Sequence, residues 1–171
     1  MPTLTVTLVA LVAIVALLAV SAFFSSSEIA IFSLPADWAA ERAASGDSRA
    51  QVLAELTDDP HRLLVTLLVG NNVVNIAISS ITTVVVAGYL QPGLAVLVTT
   101  VLTSLLVLVF GEIVPKAYGL GNAGRWSLTV AAPVRLVERL LSPLITVLDA
   151  LTGWLTQYIS GETSIERPYV D

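Results

Sequence analysis

Residues 94–116 read LAVLVTTVLTSLLVLVFGEIVPK. No charge interrupts the run until Glu112, one turn ahead of Pro115. Such a run matches the roughly 20 apolar residues needed to cross the hydrocarbon core of a bilayer. A carboxylate inside hydrocarbon costs roughly 2.5–3.5 kcal/mol on insertion scales, so it is retained only where something offsets that cost. A bound cation would do so. The stretch Phe110-Gly111-Glu112-Ile113-Val114-Pro115-Lys116 is therefore read as the charged part of a cation site. Its other ligands are expected from polar interruptions of two further apolar runs, around Ser25 and around Asn71 and Asn75.

Composition points the same way. The chain has 171 residues, of which 56% are hydrophobic and 12% charged, and its mean hydropathy is +0.87. Ordinary soluble domains carry about 25% charged residues, so this is an integral membrane protein. There is no cysteine and only one histidine. Thiolate sites are excluded, and zinc, copper and haem centres are not expected. Oxygen ligands remain, which favour hard cations. The apolar runs contain no Ser/His or paired-Asp arrangement, and His61 lies outside them, so an enzyme is not expected. Nucleic acid is not expected as a partner.

The predicted fold class is an all-α membrane protein. Three transmembrane helices, over about 4–33, 63–89 and 94–114, are joined by amphipathic juxtamembrane helices on the cytoplasmic side. No basic residue precedes the first run, which is longer than a signal-peptide core, so it is read as a retained span. Residues 36–62 are highly charged and read as a solvated helical loop with a break at Ser45-Gly46-Asp47. Gln91-Pro92-Gly93 is a tight turn. Residues 116–125, with three glycines and an asparagine, read as a connecting loop.

Residues 126–159 are apolar apart from one polar stripe, formed by Arg135, Glu138, Arg139, Ser142, Thr146, Asp149, Gly153, Thr156 and, just beyond, Ser160. That pattern predicts a helix lying in the membrane interface, bent at Pro133 and Pro143. A fourth span is the alternative. Residues 1–160 form the transmembrane domain, and Gly161–Asp171 reads as a tail or linker stump. All eight Lys and Arg residues fall in the 36–62 loop or after Val114. By the positive-inside rule the N-terminus is outside, and the charged loop and C-terminus are cytoplasmic, in a multi-pass plasma-membrane protein.

The polar interruptions follow helical spacing. Ser21 and Ser25 share one face of the first span; Asn71, Asn75 and Ser79 form a stripe on the second. At about 1.5 Å rise per residue, Ser25 and Asn71 lie about equally far from the cytoplasmic ends of their helices, and Glu112 is near the same side. Pro115 lacks an N–H, which frees the carbonyl of Gly111, and freed carbonyls at membrane depth are tolerated where they line a cavity. Gly111 and Gly119 allow close backbone approach, and Gly119 is a candidate carbonyl ligand. The candidate metal ligands are thus Ser21, Ser25, Asn71, Asn75, Glu112 and Gly119.

Each residue also has a plainer reading. The serines can back-bond or pack, and the asparagines can join helices. Asn72 points off the stripe and is read as packing. Glu112 can pair with Lys116 at i+4. Glu28 can sit at the water boundary, and His61 on the surface.

Three motifs, in order, carry a family resemblance: Phe23-Phe24-Ser25-Ser26-Ser27-Glu28-Ile29-Ala30, Gly70-Asn71-Asn72-Val73-Val74-Asn75 and Phe110-Gly111-Glu112-Ile113-Val114-Pro115-Lys116. Together they resemble the transmembrane domain of the cyclin M/CorC magnesium transporters, over nearly the whole chain. The resemblance implies a homodimer of three-span subunits with a juxtamembrane helical belt. Small residues at Ser79, Thr83 and Ala87 permit such close helix contact. It also implies Mg²⁺ export coupled to Na⁺ entry, with Ser25, Asn71, Asn75 and Glu112 at the family's polar positions. The hydroxyls of Ser25-Ser26-Ser27 and Ser79-Ser80 suit Na⁺. Membrane lipid is an expected partner. So is a pair of cystathionine-β-synthase-type nucleotide-binding domains, which lie outside these 171 residues. The competing function is a non-transporting, cation-binding membrane anchor or sensor for such cytoplasmic domains.

Overall fold

The computed structural model describes residues 4–159, without the side chains of 149, 152, 153 and 155–159. The tail at 161–171, Ser160, and the side chains of Asp149 and Thr156 in the expected polar stripe therefore lie outside the described residues. The described chain is helical almost throughout. Helix α1 (Leu4–Phe32) leads to two short helices, α2 (Trp38–Ala44) and α3 (Ser48–Thr57). Helix α4 (Pro60–Ala87) returns, and α5 (Pro92–Leu106) follows the turn at Gln91. A π-helical segment, Val107–Ile113, runs on into α6 (Val114–Gly121), and α7 (Ala123–Ile159) ends the described chain.

Among the described residues, three helices are long and apolar enough to cross a membrane: Leu4–Phe32, Pro60–Ala87 and the continuous Pro92–Gly121. The first two match the expected spans to within three residues. The third runs further than expected, because residues 116–121 continue the helix and do not form a loop. Pro115 does not stop it, for it stands in the first turn of α6, where an N–H is dispensable. The preceding turn is wound wide, with the Val114 N–H donating to the carbonyl of Val109, five residues back. The chain breaks only at Asn122, whose side-chain amide donates to the Tyr118 carbonyl at 2.9 Å.

The glycines that suggested a loop have packing roles instead. Gly111, Pro115 and Gly119 are the buried residues of the π segment and α6, one turn apart, and this face packs on α1. A Cβ on Gly119 would lie 2.3 Å from the Ser26 carbonyl oxygen. On α4, a Cβ on Gly70 would lie 2.6 Å from the Phe24 ring. Helix α1 is thus approached closely from two sides. Apart from Ile14, its buried residues, Ser21, Phe24–Ser27 and Ala30–Ile31, cluster in its second half, whereas most of its first half is exposed.

The charged loop between α1 and α4 folds as two short helices, α2 and α3. Asp47 caps α3 by accepting from the Arg49 N–H at 3.0 Å. That bond holds the Asp47 carboxyl below its ordinary range. Asp59 caps α4 by accepting from the Arg62 N–H at 3.0 Å. Leu53, Leu56 and Leu63 are buried beneath.

Helix α7 is a single helix through Pro133 and Pro143. Leu128, Val130, Ala131 and Val134 bury against the bundle, while Leu136, Leu140, Val147, Leu151 and Trp154 remain exposed. Part of its polar stripe grips the rest of the protein. Arg62 of α4 donates to Glu138 at 2.8 Å and to Ser142 at 2.7 Å, and Arg135 pairs with Glu55 of α3.

The close approach at Gly119 has a measurable consequence. Gly119→Ala should lower the unfolding temperature in detergent, because the added methyl must displace main chain; overpacking of this kind typically costs about 1–3 kcal/mol. Gly93→Ala, where nothing lies within 4 Å, should leave stability unchanged or raised. Equal melting of the two variants would refute the packing role.

Candidate functional site

Three elements meet at one hydroxyl. Ser21 is fully buried on α1. Its Oγ lies 2.9 Å from Asn71 Oδ1 and 2.9 Å from Asn75 Oδ1, both on α4. On the third side, a Cβ at Gly111 would fall 2.7 Å from the same Oγ. Only glycine leaves room there for the serine. Antiparallel α1 and α4 produce this meeting, since Asn71 and Asn75 stand one turn apart on the face turned to α1.

The chemistry of the cluster is lopsided. A hydroxyl carries one proton, whereas an amide oxygen accepts only. One proton cannot fully satisfy two carbonyl oxygens at once. Three oxygens therefore converge with a surplus of lone pairs, in a span where water is scarce. Such an arrangement suits a cation better than a neutral interior.

Ser25 lies one turn further along α1, also fully buried. Its neighbours Ser26 and Ser27 spend their protons locally. Ser26 donates to the Ala22 carbonyl at 2.7 Å, and Ser27 to the Phe23 carbonyl at 2.6 Å. Ser26 also accepts from the Trp126 indole N–H at 3.0 Å, which ties α7 to this turn. Ser25 Oγ has no hydrogen-bond partner. Buried hydroxyls are rarely left so, and leaving one costs about 1–3 kcal/mol. It is a free oxygen next to the cluster.

Glu112 follows Gly111 in the π segment and flanks the buried face, half-exposed. Among the described residues it forms no ion pair. Lys116, the partner considered for it at i+4, instead lies 3.6 Å from Glu28 of α1, and both of those side chains are more than a third exposed. Gly119 sits further along the same seam. Its carbonyl accepts a long 3.3 Å bond from the Asn122 N–H, which leaves a lone pair. Asn72 is exposed, so it does not pack within this chain; His61 is exposed as expected. Among the described residues no three acidic, histidine or cysteine side chains converge.

A polar cavity of about 240 Å³ adjoins Asn75, lined also by Ser79, Thr100, Thr103, Ser104 and Val107. Thr103 is buried, and its hydroxyl has no partner. Oxygen-bearing side chains of α4 and α5 thus continue from the Ser21 cluster toward the Gln91 turn. The hydroxyls of α5 were not singled out from sequence, although Thr99 and Thr103 recur at i,i+4.

These features define a multi-pass helical membrane domain with an oxygen-rich cluster between its spans. The comparisons with known proteins agree. The family model of the cyclin M transmembrane N-terminal domain matches residues 12–171. The chain is 34% identical to the UPF0053 inner membrane protein YfjD of Escherichia coli over 151 residues, 85% of this chain and 34% of that protein. It is 31% identical to the UPF0053 protein sll1254 of Synechocystis over 136 residues, 80% of this chain and 39% of the other. It is also 31% identical to a chloroplastic DUF21 domain-containing protein of Arabidopsis thaliana, At1g55930, over 151 residues, 88% of this chain and 23% of that protein. The chain belongs to the cyclin M transmembrane-domain family. It spans about a third of the length of the first two of these relatives.

If Ser21 supplies the only proton between the two asparagine oxygens, Ser21→Ala leaves two carbonyls facing each other. Unfolding in detergent without divalent cations should then show a loss of about 1–3 kcal/mol. Ser27→Ala should cost less, since its hydroxyl bonds only its own helix. A Ser21→Ala protein as stable as the parent would mean that the asparagines are held by something else.

Proposed function

We propose that this domain binds Mg²⁺ between α1, α4 and the π segment and carries it out of the cell in exchange for Na⁺. The observation that carries the reading is the Ser21 hydroxyl, with two amide oxygens converging on its single proton. Ser21, Ser25, Asn71 and Asn75 would supply neutral oxygens. Glu112 would supply the one formal charge, and main-chain oxygens near Gly119 would complete the shell. Mg²⁺ takes six oxygens at about 2.1 Å and commonly keeps several waters, so a single carboxylate is enough. Na⁺ needs no full charge, and the hydroxyl-lined cavity beside Asn75 fits it. A homodimer in the plasma membrane, with the N-terminus outside and α2, α3 and α7 on the cytoplasmic side, completes the proposal. Nucleotide-binding domains of a longer chain would act on it from the cytoplasm.

Replacing Glu112 by Gln keeps the shape and one oxygen but removes the charge. Mg²⁺ affinity by calorimetry should fall about tenfold or more, equivalent to ~1.4 kcal/mol, and flux into liposomes should fall with it. The unfolding temperature in Mg²⁺-free buffer should hold, because an amide is cheaper in hydrocarbon than a carboxylate. Asn75→Ala should weaken binding less, since a water can replace a neutral ligand. Unchanged affinity in Glu112→Gln removes the carboxylate from the site. Lost binding in a protein whose parent shows no flux identifies a cation-binding anchor.

Orientation is tested separately. The chain has no native cysteine, so Ser45→Cys and Gln91→Cys each give a single label site. An impermeant maleimide should reach Gln91→Cys from outside cells and Ser45→Cys only after permeabilisation. Labelling of both from one side rejects the three-span arrangement.

A further inference from the structure

Away from the Ser21 cluster, a cavity of about 490 Å³ opens where the ends of two spans come together. Its walls include Trp38 and Arg42 of α2, Asp47 and Arg49 at the start of α3, and Gly124 and Arg125 at the start of α7. Three guanidinium groups thus face one space with a single carboxylate among them. The surplus is two positive charges, in a chain whose net charge is −5.

One of the three is fixed in place. The Arg42 guanidinium lies over the Trp38 ring, 5.5 Å from its centroid, and its Nε donates to Asp47 at 3.3 Å. Trp38 is itself seated against Gly124, where a Cβ would come within 3.3 Å of the indole. Among the described residues the Arg49 and Arg125 guanidiniums have no carboxylate partner. The arginine fork matches phosphate geometry, and charge-assisted bonds to it are the strong ones.

The position of the cavity selects the source of the phosphate. α2 is the first helix after the span α1, and α7 is the first after the span that α6 ends. The cavity therefore lies at the level where spans leave hydrocarbon, and tryptophan is enriched at that level. Lipid headgroups are present there at high local concentration. We propose that Trp38, Arg42, Arg49 and Arg125 form a site for the phosphate headgroup of an anionic phospholipid, which would join α2, α3 and α7 at the membrane surface.

The test uses the whole chain, purified in detergent and examined by native mass spectrometry with phosphatidylglycerol, with phosphatidylcholine and with inorganic phosphate. Wild-type protein should retain phosphatidylglycerol in preference to phosphatidylcholine. Each basic residue beside an anionic membrane surface contributes on the order of fivefold, so Arg49→Gln/Arg125→Gln should lower phosphatidylglycerol retention on the order of 25-fold. Arg139→Gln, which removes one charge outside the cavity, should leave it unchanged. Should the double variant not fold, Arg49→Gln alone should show a loss of about fivefold. Retention equal in wild type and variant overturns the site. So does an equal loss in Arg139→Gln, which would indicate a general charge effect. Displacement of the lipid by millimolar inorganic phosphate overturns the lipid assignment in favour of a soluble phosphate.

Discussion

The arrangement depends on how closely the π segment and α6 can approach α1. Two missing side chains permit it, at Gly111 against the Ser21 hydroxyl and at Gly119 against the Ser26 carbonyl. They stand two turns apart on one face, with Pro115 between them. Any Cβ at either point would hold the helices apart. Separation at Gly111 would also open the Ser21 cluster, which needs walls on three sides. Packing and site are therefore one constraint. In lipid, apolar side chains gain little from meeting each other, so close contact and polar bonds must hold the helices together.

The fold was largely legible. Three apolar runs of spanning length can hardly be read otherwise, and the charged loop shows its break at Ser45-Gly46-Asp47. The misreading at 116–125 has a physical cause. Glycine signals a turn when water surrounds it and close approach when another helix does, and the residue alone does not distinguish them. Pro115 added to the error, since proline usually ends a helix. The wide π turn before it restores a workable bonding pattern. Such a turn depends on the fit between neighbouring helices, which no local periodicity reveals.

The candidate site was legible as a set of residues but not as a set of contacts. Spacing places Ser21 and Ser25 on one face equally, and the motif order drew attention to Ser25. The crossing of α1 and α4 decides between them: Ser21 meets both asparagines, and Ser25 is left with a free hydroxyl. The polar stripe of α7 was ambiguous in the same way. A stripe of charge suits headgroups or another protein surface alike. Arg62 on α4 and Glu55 on α3 claim Glu138, Ser142 and Arg135 from it. Those partners lie some 75–80 residues away in sequence, beyond the reach of pattern reading.

Were the Ser21 cluster to hold a cation as proposed, the same side chains could also release it. An asparagine side chain turned by half a rotation about its last bond presents N–H where it presented oxygen. With both oxygens inward, the cluster has more acceptors than protons and favours a positive charge. With one amide turned, its N–H donates to Ser21 Oγ, whose own proton goes to the other asparagine, and the need for a cation disappears. The two arrangements share the same helices and differ by one side-chain torsion. In the proposed site the amides and hydroxyl would then keep no charge of their own, and only the Glu112 carboxylate would be left without its partner. Glu112 is half-exposed at the edge of the seam, beside this cluster and not within it.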